Sequence, residues 1–309
     1  MSATDWFLEN RATFTGELLF EEPLLKYTYY RIGGPAALMA IPKSREDLAW
    51  IREGLRVSGL PLFVLGLGSN ILAADEGFPG VVVRTNRLNL EIVKESETVI
   101  RAGGSVANST LLRRAASEGW GGLEFLTGVP GSVGGAVVMN AGTHLGEASG
   151  ALESVEWVSL SPNEEGPRTF GASELKYQYR KNLYLPSRGV VLSARWRVEM
   201  REPAVVKKLI EETLSRRKAT QPLDYPSCGS VFKNPKESGL SAWQVIDRLG
   251  LRGHQIGDAQ FAEKHSNFII NLGGARAADV RALIELAKSR ALSELHVKIE
   301  EEVMYIGAF

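Results

Sequence analysis

Cysteine is almost absent. Of 309 residues only Cys228 carries a thiol, which excludes an intrachain disulfide and a cysteine-rich zinc site. A lone thiol fits a reducing compartment, and a cytoplasmic location is expected. Net charge is absent too: Lys+Arg and Asp+Glu are 36 each. An electrostatic hold on nucleic acid or an anionic membrane is therefore not expected. Histidine is scarce. His144, His254, His265 and His296 form no His-x-x-x-His or glutamate-flanked pair, so no metal is expected. No stretch approaches the ~18 uncharged apolar residues of a membrane helix, so no membrane insertion is expected. The longest weakly charged stretch, 125–145, is glycine-rich and interrupted by Pro130 and Asn140. The opening MSATDWFLENRATF has acidic residues early and no long apolar stretch, and does not read as a signal peptide.

What is present is an ordinary globular balance, 44% hydrophobic and 23% charged, which excludes a mostly disordered chain. The length suggests about two domains, and no fixed-period repeat is visible. Strand and helix patterns alternate. Ser44 opens a helix with Asp47 three residues on, Leu48, Ile51 and Leu55 give its apolar stripe, and Gly59 ends it. Residues 62–65, 81–83, 98–102, 155–160 and 190–198 read as strands, with a helix over 106–118 and a polar turn, SPNEEGP, before the last strand. After Val198 the texture changes. A charged helix over 203–218, a Ser241/Gln244 capping box, a strand over 268–271, a helix over 277–287 and a strand over 296–300 are expected. A boundary is placed near 200–206. The fold class is α+β, glycine-rich in its first part, with a smaller α/β part behind.

Glycine is the one excess: 32 residues, about one in ten, against roughly 7% on average. Two clusters have the composition of phosphate cradles. Gly66-Leu67-Gly68-Ser69-Asn70 follows the strand LFVL. Gly128-Val129-Pro130-Gly131-Ser132-Val133-Gly134-Gly135 runs on to Asn140-Ala141-Gly142. Glycine lets backbone amides approach an anion and take positive φ. Taken alone the first cluster can equally be a structural turn, whereas the glycines, proline and serine packed into 128–135 demand an unusual backbone path that suits a diphosphate better than a turn. A Rossmann fingerprint fails because Ile71 stands where its third glycine belongs, and LAADEGFPG reads as a loop. A P-loop fails because Ala136-Val137 replace its Lys and Ser or Thr.

Three further segments carry possible chemistry. In Tyr177-Gln178-Tyr179-Arg180-Lys181 an arginine beside tyrosines can clamp a carboxylate in bidentate fashion, or can be a solvated strand end. Ser230, in Cys228-Gly229-Ser230-Val231-Phe232-Lys233-Asn234-Pro235, is a turn residue or a reactive hydroxyl, although no Gly-x-Ser-x-Gly elbow surrounds it. Cys228 reads as a small buried residue. Glu300, Glu301 and Glu302 read as a solvated edge.

Taken in order, Tyr30-Arg31-Ile32-Gly33-Gly34-Pro35-Ala36, the 66–70 cluster, and Gly122-Leu123-Glu124-Phe125-Leu126 running into 128–142 resemble the UDP-N-acetylenolpyruvoylglucosamine reductase family over roughly 25–309. These flavoenzymes make UDP-N-acetylmuramate. The resemblance implies an FAD-binding domain of the vanillyl-alcohol-oxidase (PCMH) type in two subdomains, 1–85 and 86–202, and a substrate domain, 203–300. The segment 301–309 would return to the first. The resemblance assigns cofactor contacts to Tyr30, Arg31, Gly33, Gly66, Gly68, Ser69, Asn70, Gly128, Pro130, Gly131, Ser132, Gly134, Gly135, Asn140, Ala141 and Gly142. The FAD diphosphate would meet the amides of 66–70 and 131–135.

It also implies the chemistry. NADPH would reduce FAD, and the UDP-sugar enolpyruvyl substrate would then receive hydride from flavin N5. Arg180 and Glu302 would stabilise the enolate, and Ser230 would protonate its carbon. Tyr179, Lys218 and Asn234 would contact substrate. Three departures stand out: His144 where a tyrosine is common, Met304 where the family pattern has arginine, and a short segment after Arg180. The last suggests the shorter subtype and leaves Tyr184 without a role. A monomer or weak oligomer is expected. Rival readings are a flavin oxidase or dehydrogenase acting on a hydroxy acid or sugar, a non-catalytic nucleotide-sugar binder, and a hydrolase using Cys228.

Overall fold

A computed structural model describes residues 4–164, 166–185 and 188–309. Glu165 of the expected polar turn, and Pro186 and Ser187 of the short segment after Arg180, lie outside the described residues. Contacts divide the chain into two units. The first comprises Met1–Glu21, Ala37–Leu67 and Pro79–Ser215, the second Glu22–Ala36, Gly68–Phe78 and Arg216–Phe309. The change from one to the other falls inside the helix Pro203–Thr220. It does not fall in the 200–206 segment where the sequence changes texture.

In the first unit Ser44 starts the helix Arg45–Ser58 as its side chain predicts, accepting from the Asp47 amide at 3.1 Å. Gly59 ends it in the left-handed conformation, φ 66°. The buried stripe Leu48, Ile51 and Leu55 shares a core with Phe7, Leu38, Val81 and Val83. A four-stranded sheet runs in the order Glu17–Pro23, Pro35–Ile41, Phe78–Arg84, Leu62–Leu65, the last two parallel.

A five-stranded antiparallel sheet runs Pro167–Gly171, Leu152–Ser159, Gly189–Arg197, Val99–Gly103, Ile92–Lys94. Its register aligns Phe170, Val155, Ala194, Ala102 and Ile92 in one row. The first four belong to a single apolar cluster with Leu111, Ala115, Val133 and Val137 from the helices Asn108–Glu118 and Val133–Met139, and Ile92 packs against it. The strand Gly189–Arg197 is buried on both faces, Val190 and Leu192 in one core and Val191 and Trp196 in the other. That is why it reads as a nearly unbroken apolar run.

In the second unit a three-stranded antiparallel sheet, Gln255–Ile256, Ala259–Phe261, Ile269–Asn271, packs with the helices Ala242–Arg248 and Ala277–Leu295. The Ser241/Gln244 capping box is formed. Two expectations fail. The final helix continues past 287 to Leu295, and His296 then turns left-handed at φ 55°. Residues 296–300 are therefore not a strand. And LAADEGFPG, 72–80, is not all loop: its first two residues belong to the strand Ile71–Ala73, which pairs in parallel with Met304–Ile306, and its last three open the strand Phe78–Arg84. The pairing partner is more than 230 residues away, beyond the reach of local pattern.

Candidate functional site

Gly66 and Leu67 of the first glycine cluster lie in the first unit with 128–142, whereas Gly68, Ser69 and Asn70 belong to the second. A Cβ on Gly66 would stand 3.1 Å from Ser132 Oγ, so a side chain there would crowd the serine. Ser132 begins the helix Val133–Met139, its Oγ accepting from the Gly135 amide at 3.3 Å. The loop is not uniformly open, however. The Val133 amide donates to the Val106 carbonyl at 2.8 Å and the Gly134 amide to the Gly104 carbonyl at 2.9 Å. Gly134 is buried, and a Cβ on it would lie 3.1 Å from the Gly104 carbonyl. Its absence of side chain serves helix-to-sheet packing. Gly135 is exposed, with only Ser132 Oγ near. The expected amide cradle over 131–135 thus narrows to Gly131 and Ser132; the Gly135 amide is taken by Ser132 Oγ, and Gly135 leaves open surface beside them.

Asn140 closes the same helix in the left-handed region, φ 46°. Its side chain is committed within the protein: Nδ2 donates to Glu147 Oε2 at 2.6 Å and to the Gln178 carbonyl at 3.0 Å, and Oδ1 accepts from the Ser149 amide at 2.9 Å. The Ala141 amide donates to the Ala136 carbonyl. Asn140 and Ala141 therefore shape the turn; neither that side chain nor that amide is left for a cofactor.

Arg180 is delivered to this turn by a hairpin. Tyr177–Gln178 pairs with Lys181–Asn182, so Tyr179 and Arg180 are the two loop residues. Arg180 takes φ 56°, unfavourable for a side chain with a Cβ. It is held there: Nη2 donates to the Gly142 carbonyl at 2.7 Å and Nη1 to the Asn140 carbonyl at 3.4 Å. The guanidinium lies 4.9 Å from the Tyr179 ring centroid. Arginine is not a solvated strand end here.

The second unit brings together the other candidates. Glu301 bridges antiparallel to Phe232, the Glu302 amide donates to the Val231 carbonyl at 2.7 Å, and the Lys233 amide to the Glu300 carbonyl at 2.8 Å. This register sets Glu302 beside the segment that carries Ser230. Asn70 joins them, donating from Nδ2 to the Glu302 carbonyl at 2.9 Å and accepting from the Met304 amide at 2.9 Å. Gly68 is required nearby, at φ 71° with a Cβ site that collides with the Tyr27 carbonyl. Ser230 is half-buried.

Two residues that sequence reasoning missed hold this arrangement. Asn267, buried, mimics a strand neighbour: Oδ1 accepts from the Phe232 amide and Nδ2 donates to the Phe232 carbonyl. Asn271 ties the Tyr30 carbonyl into the core. The only sequence signal for either was an asparagine flanking the apolar run 268–270.

Tyr30 is wholly enclosed in the second unit's core beside Cys228, with no exposed side-chain surface. Burial pushes both groups up, the Cys228 thiol to about 12. Arg31 is exposed and Gly33 buried against Ala73. Asn234 Oδ1 accepts from the Ala242 amide at 2.9 Å. Lys218 is exposed, and its carbonyl accepts from Lys264 Nζ at 2.6 Å. Among the described residues no group of three His, Cys, Asp or Glu could hold a metal ion.

Two known families match successive parts of the chain. Residues 36–159 match the FAD binding domain family, and 221–306 match the UDP-N-acetylenolpyruvoylglucosamine reductase C-terminal domain. A UDP-N-acetylenolpyruvoylglucosamine reductase of Heliobacterium modesticaldum is 40% identical over 295 residues, 95% of this chain and 92% of that protein. One of Pelobacter propionicus is 39% identical over 292 residues, 94% of this chain and 96% of that protein. The crystal structure of the Thermus caldophilus reductase superposes with a TM-score of 0.78 at 35% identity, covering 94% of this chain and 99% of that one. The chain belongs to the UDP-N-acetylenolpyruvoylglucosamine reductase family.

Proposed function

We propose that the protein is an FAD-dependent oxidoreductase that uses NADPH to reduce the enolpyruvyl group of UDP-N-acetyl-3-O-(1-carboxyvinyl)-glucosamine, giving UDP-N-acetylmuramate for peptidoglycan precursors. The observation that carries this reading over a general flavin oxidase is the pairing of 300–302 with 231–233, which brings Glu302 to the Ser230 segment. A hydroxy-acid oxidase has no need of that pair.

The first unit suits FAD: Gly66 against Ser132 and the open space at Gly135 leave a side-chain-free surface, and the Gly131 and Ser132 amides remain for a diphosphate. Gly128, Pro130 and Gly142 would flank it. Ser69 and Asn70 follow Gly66 along the chain. When bound, FAD supplies hydride transfer from NADPH to the terminal vinyl carbon.

The remaining steps belong to side chains. Arg180 offers N–H donors to the substrate carboxylate, and Tyr179 supports its plane. Lys218 and Asn234 contact the substrate. Hydride addition leaves an enolate, basic enough to take a proton from a serine hydroxyl, a very weak acid. Ser230 donates that proton to the carbon next to the carboxylate and regains one from solvent. Glu302 helps Arg180 hold the developing charge. The proposal retains the division of the flavin-binding part at 85/86, a cytoplasmic location, and a monomer or weak oligomer without a nucleic-acid partner. Among the described residues no helix is long and apolar enough to cross a membrane.

The test is anaerobic. The purified protein should show or acquire a flavin absorption band, NADPH should bleach it, and the enolpyruvyl sugar nucleotide should restore it. Failure to take up FAD, or bleaching by NADPH without restoration by that substrate, overturns the reading.

A further inference from the structure

We infer that Glu301 is a positioning residue for Glu302, locking the C-terminal segment onto the helix Ala277–Leu295 so that Glu302 is fixed on the opposite face. This rests on the role proposed for Glu302. Along an extended segment successive side chains alternate between faces. Ile299, Val303 and Tyr305 fall on one face: Ile299 and Val303 are buried in the second unit's core with Val280, Leu283 and Ile284, and Tyr305 packs against it. Glu301 falls in the same row. Glu302 falls in the other row with Glu300 and Met304, both exposed.

Apolar packing alone would leave this segment free to slip, because Ile299 and Val303 are interchangeable partners for an apolar helix face. Glu301 removes that freedom. Its Oε1 accepts from Lys288 Nζ at 2.6 Å, and its Oε2 from Tyr305 Oη at 2.5 Å and Arg281 Nη1 at 3.2 Å. Arg281 Nη1 also donates to Tyr305 Oη at 2.8 Å, and its guanidinium lies 5.0 Å from that ring centroid. Glu285 accepts from Arg281 and Lys288 and orients both. One carboxylate thus binds two turns of the helix and a second residue of its own segment. It does so next to the amide that pairs Glu302 with Val231. A two-residue slip would place Ile299 or Val303 before Arg281 and Lys288, leaving both cations without their acceptor.

The decisive experiment is a double-mutant cycle on flavin reoxidation by the enolpyruvyl substrate, measured in the full-length FAD-loaded enzyme at saturating substrate. Glu302→Gln alone should slow reoxidation; if it does not, Glu302 has no role, and the reading it rests on falls with the inference. Glu301→Ala should slow reoxidation about 10- to 100-fold, as a displaced reacting group does. It should leave flavin reduction by NADPH within about twofold. Added to Glu302→Gln, Glu301→Ala should cost nothing more, because both act through one group. Additive losses with Glu302→Gln effective would show a merely structural role and overturn the inference alone. Should Glu301→Ala fail to fold, Glu301→Gln and Lys288→Met each remove one arm and enter the same cycle.

Discussion

Arg180 donates from Nη2 to the Gly142 carbonyl at 2.7 Å, so the hairpin tip and the end of the glycine-rich segment are one structure. The planar fork binds the Gly142 and Asn140 carbonyls from two nitrogens at once, which a lysine ammonium cannot do with the same geometry. Arg180→Lys should keep its flavin band and lose about 10²-fold in substrate-dependent reoxidation, the scale of one removed charge-stabilising donor. Stopped-flow absorbance separates the two. Normal reoxidation would remove Arg180 from the chemistry.

Ser230 gives the most selective prediction, because proton donation belongs to only one half-reaction. Ser230→Ala should reduce with NADPH at a near-normal rate and reoxidise about 10²- to 10⁴-fold more slowly, the range of a lost general acid. Equal loss in both half-reactions would contradict the proton-donor role.

The glycine loop separates two kinds of glycine that look alike in sequence. Gly134 is pressed against the Gly104 carbonyl, so Gly134→Val should lower the thermal midpoint of the flavin-free protein. Gly135 is exposed with space around it, so Gly135→Val should leave that midpoint nearly unchanged and weaken FAD retention. A fluorescence titration with FAD reads the second effect. If Gly135→Val binds FAD normally, the cradle lies elsewhere.

That contrast shows how far the sequence could be read. Ser44, Gly59 and the Ser241/Gln244 pair were legible because a cap acts within a few residues. Arg180 and Ser230 were singled out by residue type and motif. The hairpin that aims Arg180 was not, because its turn contains no glycine and uses a side-chain-bearing residue at positive φ. The pairings of 304–306 with 71–73 and of Glu301 with Phe232 were invisible, since nothing local in either partner specifies the other. The burial of Tyr30 was invisible for a related reason: its neighbours Cys228 and Asn271 lie far along the chain.

The Glu301 cluster gives a pH dependence of known sign. Burial raises the Glu301 carboxyl, but hydrogen bonds from Lys288 and Tyr305 and the charges of Lys288 and Arg281 outweigh it, leaving the group below its ordinary value. A depressed carboxylate stabilises the fold above the unfolded value and loses that contribution as pH falls through the folded one. Lys288, raised chiefly by its hydrogen bond to Glu301, contributes below its ordinary value and loses it in alkali. The stability gap between wild type and Glu301→Gln should therefore be widest near neutrality, begin to narrow as pH falls past the ordinary glutamate value of about 4.3, and close below the depressed folded value. Urea midpoints across pH measure it. A gap that persists in acid would mean the carboxylate charge is not what binds the segment.

Cys228 decides against thiol chemistry. Its thiol is buried, and burial, with the nearby Glu302 carboxylate adding to it, pushes it up to about 12. A thiolate is the nucleophile in alkylation, and at pH 8 almost none exists at this site. Iodoacetamide should leave the native protein unlabelled and fully active at pH 8, and should label it once in urea. The same inertness follows from position: the side chain sits in the second unit's core, two residues before Ser230, where a bulky adduct would displace Tyr30. Rapid native labelling with loss of turnover would show a reactive thiol and reopen the hydrolase reading, whereas labelling only after unfolding leaves Ser230 as the hydroxyl that does the chemistry.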